Sequence, residues 1–162
     1  MKKVLFFDVD GTLLTPKKRI VEPSTLEVLK ELSNNPDIDL YLSSGRGRDT
    51  LNDVEHIVPY FTGLNLANGG HLIIGDKTYY DFIDKDLVKN VVTFMIKNKI
   101  SFSASTLHGN LRMYFNDEIK ASFDRNVPGP YILLKEEDDF YFSEVIQFWL
   151  LGNNDEIDKT SK

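Results

Sequence analysis

Short apolar runs alternate with amphipathic stretches over the first half of the chain. Val4–Phe7 is continuously apolar, a pattern typical of a strand covered on both faces of a parallel sheet. The runs "IDLYLSS" (38–44) and "GLNLANGG" (63–70) predict two further strands, and the second of these leads into a glycine turn.

The stretches between these strands have helical periodicity. In "PSTLEVLKEL" (23–32), Ser24 and Glu27 have the spacing of a capping box, and Leu26, Leu29 and Leu32 fall on one stripe. "GRDTLNDVEHI" (47–57) predicts a second helix, whose apolar side consists of Leu51, Val54 and Ile57. Alternating strands and helices indicate an α/β fold, a doubly wound, Rossmann-like parallel sheet with right-handed crossovers.

The second half has a different pattern, with hairpins and helices in α+β order. The segments "HLIIGDKTYYDFI" (71–83) and 101–115 predict hairpins that turn at Gly75-Asp76 and at His108-Gly109. A helix capped by Asp84, a short helix at 116–123 and a strand at 145–151 complete the predicted elements. We therefore expect two domains, residues 1–82 and 83–162.

Composition narrows the functional classes. The 162 residues are 41% hydrophobic, enough for a packed core, and their net charge of -6 argues against a nucleic-acid-binding face. The chain has no cysteine, which excludes disulfides, thiolate nucleophiles and cysteine-ligated zinc. The N-terminus has no secretory pattern, and no apolar run is long enough to cross a membrane, so we expect a soluble, cytoplasmic protein without membrane partners.

The candidate chemistry lies where the first apolar run ends, at Asp8 and Asp10. Side chains two residues apart in an extended chain point the same way, so both carboxylates can converge on one site. Gly11 permits a tight turn after them, and Thr12 offers a hydroxyl and a backbone N–H to an anion. An alternative interpretation is a strand that simply ends in a polar Asp-Gly turn. An Asp-x-Asp sequence taken by itself is more often such a turn than a functional site. A calcium loop is excluded, because its twelfth position, which requires Glu, would be Arg19.

"FFDVDGTL" (6–13) resembles the first motif of the haloacid dehalogenase superfamily. The resemblance implies that Asp8 is a nucleophile that forms an aspartyl-phosphate and that Asp10 is the general acid and base. It also implies Mg²⁺, held by the Asp8 carboxylate and the Asp10 backbone carbonyl. A cation with oxygen ligands offsets the repulsion between a carboxylate and a phosphoryl group.

Two further stretches fit the Cof-type branch of this superfamily, whose members carry a large α/β cap. "LYLSSGR" resembles the second motif, which implies that Ser44, Gly45 and Arg46 hold the phosphoryl oxygens. "LANGG" resembles the turn after the third strand, where Asn68 orders the loop or touches substrate. Residues from 83 onward then resemble part of the cap that covers such a site.

Within the cap, several side chains are candidates for substrate contact or for the core. The possible substrate contacts are Arg112, His108 and Lys120, although an exposed face is the commoner arrangement for each of them. Phe148, Trp149 and Leu150 are predicted to form cap core, and the charged patch "KEEDD" (135–139) to be a solvated loop.

Members of the superfamily carry two further motifs that this sequence lacks. One is a lysine that steadies the nucleophile, and the other is an acidic segment that completes the Mg²⁺ site. "LLGNNDEID" (150–158) lies at the end of a predicted cap strand, so Asp155 and Asp158 are not assigned to metal. The chain is therefore interpreted as truncated, which would leave the first strand as an exposed apolar edge.

Three functional hypotheses follow. The first is a Mg²⁺-dependent hydrolase of a small phosphorylated metabolite such as a sugar phosphate. The second is a catalytically weak or inactive module that self-associates through its open sheet edge. The third is a phosphomutase, which the same nucleophile would serve.

Overall fold

A computed structural model describes residues 2–15, 17, 19–127, 130–135 and 144–152. The chain folds into two compact units that divide between Asp81 and Phe82. Most of the charged patch at 135–139 and the residues after Gly152, including Asp155 and Asp158, lie outside the described residues. No helix in the described ranges has the length and apolar character needed to cross a bilayer.

The first unit contains a five-stranded sheet in the order β1-β2-β3-β4-β5. Its strands are β1 (Lys3–Asp8), β2 (Ile38–Ser43), β3 (Gly63–Leu66), β4 (His71–Ile74) and β5 (Lys77–Tyr80). The first three are parallel, and β4 and β5 add the predicted antiparallel hairpin. The predicted α/β class is confirmed.

The helix α1 (Pro23–Ser33) connects β1 to β2 and buries Leu29 in the core of the first unit. The predicted capping box is wrong: the cap position is Glu22, and no side chain caps the first turn. Pro23 begins the helix instead, because its fixed φ suits the first turn and its missing N–H needs no partner there. The helix ends at Ser33, and Asn34 is its C-cap.

The predicted second helix is also wrong. Two short 3₁₀ helices, Arg48–Thr50 and Glu55–Tyr60, replace it. Its three apolar residues are nevertheless fully buried, namely Leu51, Val54 and Ile57. Their spacing of three matches the three residues per turn of a 3₁₀ helix better than the 3.6 of an α-helix.

In the described part of the chain, only one face of β1 packs against the core, and its side chains are partly buried. Leu5 and Phe7 pack against the core, whereas Val4 and Phe6 are 49% and 63% exposed. The prediction of a strand covered on both faces is therefore wrong for the described residues, because alternate side chains of a strand point to opposite faces and one of these faces is left open. β1 is also the outer strand of its sheet.

The second unit contains a four-stranded sheet in the order β8-β7-β6-β9. Its elements are α2 (Lys85–Lys97), β6 (Ser101–Thr106), β7 (Gly109–Met113), α3 (Asp117–Asn126), β8 (Tyr131–Leu133) and β9 (Val145–Leu151). Asp84 caps α2 as predicted, and its carboxylate accepts from the N–H groups of Asp86 and Leu87. The three-residue strand β8 was not predicted.

The core of the second unit differs from the prediction at β9. Trp149 and Leu150 are 40% and 46% exposed, while Phe148 is partly buried with its ring edge against Phe102. β9 is the outer strand of its sheet, so it has one neighbouring strand in the described part of the chain. Its fully buried anchor is Val145.

Candidate active site

The loops that follow β1, β2 and β3 meet at one edge of the first sheet. The parallel register places Asp8 beside Ser43, the residue before Ser44. The Ser44 N–H donates to the carbonyl of Asn65 on β3, and the Asn68 N–H donates to the Ser44 carbonyl at 3.3 Å. The carboxyl ends of parallel strands thus bring together the residues predicted to form the site.

The turn after β1 carries Asp10 and Gly11. Gly11 has a φ of +86°, a left-handed conformation that glycine adopts without a steric penalty. Its N–H donates to the carbonyl of Leu14, which closes the loop directly after the second acid. Thr12 is exposed on this turn, as is Asp8 at the end of the strand.

Arg46 joins the loop after β2 to the acid after β1. Its Nε and Nη2 donate to the two carboxylate oxygens of Asp10, at 2.8 and 2.6 Å. Its backbone N–H donates to the Ser44 hydroxyl oxygen at 3.2 Å. The predicted residues Asp10, Ser44 and Arg46 therefore belong to one hydrogen-bonded group, in which Arg46 is bound to carboxylates.

The loop after β3 packs closely against the serine loop. A Cβ on Gly45 would lie 3.0 Å from the side-chain oxygen of Asn68, a tight contact that would require the Asn68 side chain to shift by a few tenths of an ångström. Ala67 and Asn68 both have left-handed backbone, with φ of 51° and 55°. Such a conformation costs an L-residue about 1–2 kcal/mol and persists only where surrounding contacts enforce it.

Sequence reasoning missed Asp53 and Arg19. Arg46 Nη1 donates to the Asp53 carboxylate at 2.6 Å, and Arg19 Nη2 donates to the same carboxylate at 2.8 Å. Asp53 stands seven residues after Arg46, which precedes the segment predicted to be helical (47–57). That segment forms 3₁₀ turns, so the predicted helix gave no signal for this pair.

These contacts shift two ionisation equilibria. The hydrogen bond with Asp10 raises the pKa of Arg46 above its usual value, against the opposing effect of burial. Burial alone would raise the pKa of Asp53, but the hydrogen bonds from Arg46 and Arg19 outweigh it and the pKa is lowered. Arg46 and Asp53 are therefore both charged at neutral pH.

A cleft of about 300 Å³ opens beside the second acid. Its lining residues are Asp10, Gly11, Leu14, Thr15 and Arg19. This volume is at the lower end of the range for small-molecule sites.

The donors available to a metal are oxygen atoms. The Asp8 carboxylate and the Asp10 backbone carbonyl are hard ligands of the kind that Mg²⁺ prefers, and Mg²⁺ commonly binds through one or two carboxylates, waters and substrate phosphate. No group of three or more potential metal-ligating side chains occurs within the described residues. The chemistry of the two donors fits Mg²⁺, whose remaining ligands would be water and phosphate oxygens.

The sequence matches the haloacid dehalogenase-like hydrolase family over residues 5–162. The chain belongs to this family. No curated protein is significantly similar to it in sequence.

Solved structures of haloacid dehalogenase enzymes share the fold of this family member. The subclass IIB sugar phosphatase BT4131 matches with a TM-score of 0.82 at 22% identity, over 98% of this chain and 62% of that one. BT1666 from Bacteroides thetaiotaomicron, a phosphatase of the superfamily, matches with a TM-score of 0.77 at 20% identity, over 99% and 60%. TM0651 from Thermotoga maritima gives 0.78 at 19% identity, over 99% and 60%. This haloacid dehalogenase-like chain thus spans about three fifths of the length of these proteins.

Several predicted cap contacts have different surroundings in the structure. Arg112 is only 2% exposed, so it faces neither solvent nor a ligand surface. Its guanidinium donates to Asp124 at 2.7 Å and to the carbonyl of Val127 at 2.9 Å. Lys120 also binds Asp124, and exposed His108 lies 3.0 Å from Glu144.

Proposed function

We propose that this chain carries the nucleophile and the acid–base group of a Mg²⁺-dependent phosphomonoester hydrolase. The observation that carries the proposal is the link that Arg46 makes between Asp10 and Ser44, at the carboxyl edge where Asp8 ends β1 beside Ser43. Family membership supports the reaction class, and the phosphatases among the similar structures support a phosphate ester as substrate. A small phosphorylated metabolite such as a sugar phosphate is the proposed substrate, by analogy with BT4131.

The proposed reaction has two steps. A carboxylate oxygen of Asp8 attacks phosphorus, the bond to the leaving oxygen breaks, and that oxygen takes a proton from Asp10. Water then attacks the aspartyl-phosphate and gives a proton to Asp10. The bond between phosphorus and Asp8 breaks, which releases inorganic phosphate and restores the nucleophile.

The surrounding residues bind and orient the transferring group. The Ser44 hydroxyl and nearby N–H groups, with Gly11, Thr12 and Gly45 in the adjoining turns, are proposed to hold the phosphoryl oxygens. Asn68 is proposed to fix the position of the serine loop, against which it packs. Mg²⁺, held by Asp8 and the Asp10 carbonyl, would neutralise charge between nucleophile and phosphate.

Replacement of the nucleophile tests this function. The purified chain should hydrolyse p-nitrophenyl phosphate in the presence of Mg²⁺, and Asp8→Asn should abolish the activity because an amide is too weak a nucleophile to attack phosphorus. Asp39→Asn is the matched control, since Asp39 lies on β2 in a surface pair with Lys2. The rate is measured from nitrophenolate absorbance.

Phosphoryl transfer to the protein gives a second readout. Mass spectrometry after brief incubation with acetyl phosphate and Mg²⁺ should locate one phosphoryl group on the peptide that contains Asp8. A wild-type chain that neither hydrolyses the ester nor becomes phosphorylated would contradict the proposed function for this chain. Equal rates for wild type and Asp8→Asn would contradict the assignment of the nucleophile.

A further inference from the structure

Four side chains of alternating charge form a continuous chain beside the proposed site. Asp10 accepts from Arg46, Arg46 also donates to Asp53, and Asp53 accepts from Arg19. The three ion pairs have shortest N–O distances of 2.6, 2.6 and 2.8 Å. Asp53 has no part in the reaction proposed above, so its place in this series of ion pairs requires another explanation.

Arg46 has little freedom to move independently of its two carboxylate partners. Its side chain is 12% exposed, and one edge of the guanidinium, Nε and Nη2, is occupied by Asp10. Nη1 donates to Asp53 at 2.6 Å and to the Thr50 carbonyl at 3.1 Å. Because the guanidinium is planar and its donors are rigidly arranged, fixing Nη1 also fixes the edge that faces Asp10.

Asp10 needs such a restraint more than its partners do. Its side chain is 54% exposed, on a turn that follows the last residue of β1. An exposed carboxylate on a turn samples several rotamers, whereas a general acid or base acts only from a narrow range of positions near the reacting oxygen. A bidentate pair with a well-held arginine restricts that sampling.

We propose that Asp53 is a positioning residue for the Asp10 carboxylate and acts through the Arg46 guanidinium that both carboxylates share. This inference rests on the proposed function, since it assigns Asp53 to the same reaction. Arg19 donates to Oδ2 of Asp53, while Arg46 donates to Oδ1, so Arg19 in turn holds that carboxylate in place.

Steady-state kinetics with p-nitrophenyl phosphate give the first test. Asp53→Asn should lower kcat by about tenfold while KM stays within about twofold, because orientation of the acid and base changes but phosphate binding does not. Asp53→Glu keeps a carboxylate on a longer side chain and should recover part of the loss. Asp39→Asn, which changes another ion-paired aspartate of the same unit, should leave kcat unchanged.

A second test does not depend on catalysis. In ¹⁵N spectra of the full chain, the Nε–H of Arg46 should exchange slowly with water, and both Asp53→Asn and Asp10→Asn should speed this exchange about tenfold. Asp39→Asn should have no effect, and thermal unfolding identifies any variant that fails to fold, in which case Asp53→Glu replaces it.

The two tests separate this inference from the proposed function. An active wild type whose kcat does not change in Asp53→Asn would overturn the positioning role and leave the hydrolase intact. Unchanged Arg46 exchange in Asp53→Asn would overturn it as well, whether or not the chain is active. If the wild type is inactive but Asp53→Asn accelerates exchange of the Arg46 Nε–H, the result would contradict the hydrolase and support the restraint on Asp10.

Discussion

The side chain of Arg46 shows how one residue links two loops that are distant in sequence. Its position after Ser44-Gly45 predicted a place near transferred phosphate, yet the structure pairs it with the carboxylates of Asp10 and Asp53. A guanidinium attracts phosphate and carboxylate alike, so sequence gives the charge at this position but not the partner. Its phosphate-binding role stays a prediction.

His71 is a second residue whose surroundings set its chemistry. It is 8% exposed, its ring stacks on Tyr80 with centroids 4.5 Å apart, and its Nε2 has no hydrogen-bond partner among the described residues. Burial lowers the pKa of His71, and the positive charge of Arg48 lowers it further. The imidazole is therefore neutral in the folded state at neutral pH.

Because the unfolded chain binds a proton on His71 more readily than the folded chain, acidification should weaken the fold. The contribution of neutral His71 to the free energy of unfolding is complete above 6.5, the pKa of this histidine in the unfolded chain. It is lost as the pH falls from 6.5 towards the lower pKa of His71 in the folded state. The slope contributed by this group is at most about 1.4 kcal/mol per pH unit. Amide hydrogen exchange of β2 and β3, measured at several pH values and corrected for intrinsic rates, reports the free energy of opening.

His71→Phe should flatten this pH dependence while keeping a ring against Tyr80. His56→Phe, at an exposed position, is the control and should retain the wild-type slope. Identical slopes in wild type and His71→Phe would show that His71 is not the responsible group.

Secondary-structure elements follow the hydrophobic pattern only where the period is clear. The leucine stripe of α1 packs as predicted, while the segment 47–57 adopts 3₁₀ turns because its apolar residues recur every three positions. In the second unit, α3 is attached to the sheet mainly by polar contacts, and the structure describes no fully buried residue on that helix. The attachment is made by Arg112 of β7.

Arg112 is held by an ion pair and by two rings. Its guanidinium lies 4.8 and 4.2 Å from the ring centroids of Phe123 and Tyr131, and its partner Asp124 also accepts from Tyr114. Burial alone would raise the pKa of Asp124, but hydrogen bonds led by that from Tyr114 lower it well below its usual range. Asp124 therefore stays ionised at neutral pH.

Arg112→Leu should lower the free energy of unfolding of the second unit by about 2–4 kcal/mol, because it leaves a partly buried carboxylate without its main cationic partner. Trp149, the chain's one tryptophan, lies on β9 of this unit, so its fluorescence during urea unfolding measures the effect. His108→Ala removes the exposed partner of Glu144 in the same unit and should cost less than about 1 kcal/mol. A loss for Arg112→Leu no larger than that of the control would contradict the role given to the buried pair.

At the scale of the molecule, Phe6 on β1 has the highest exposed fraction among the large apolar side chains of the described residues. Phe6 stacks on Tyr41 but remains 63% exposed, and β1 pairs with β2 on one side only in the described part of the chain. Outer strands with exposed apolar side chains favour pairing with another chain. Self-association through this strand therefore remains our prediction.

Phe6→Glu should weaken self-association by about tenfold, because it removes an apolar contact and places like charges opposite each other in a pair of identical strands. Sedimentation velocity over a range of concentrations measures the dissociation constant. Phe94→Glu, at a 52% exposed position on α2, is the control. A monomeric wild type, or equal weakening by both variants, would contradict an interface at β1.

The sequence alone determined the order and type of most elements and the position of the acid pair. Apolar periodicity and turn residues act over a few neighbouring positions, so β1, α1, β2, β3, the hairpins and α2 were all predictable from local pattern. The motif around Asp8 and Asp10 predicted family membership for the same reason, because a strand, two acids and a glycine turn are contiguous in the chain.

Only the tertiary structure decided which groups those residues meet. Asp53 reaches Arg46, and Arg112 reaches Asp124, through folding of segments whose separation in sequence carries no directional information. The exposure of Phe6 and Trp149 likewise depends on which neighbours cover each strand, and local pattern does not specify neighbours. Electrostatic partners and burial are set by distances through space, which local sequence pattern does not encode.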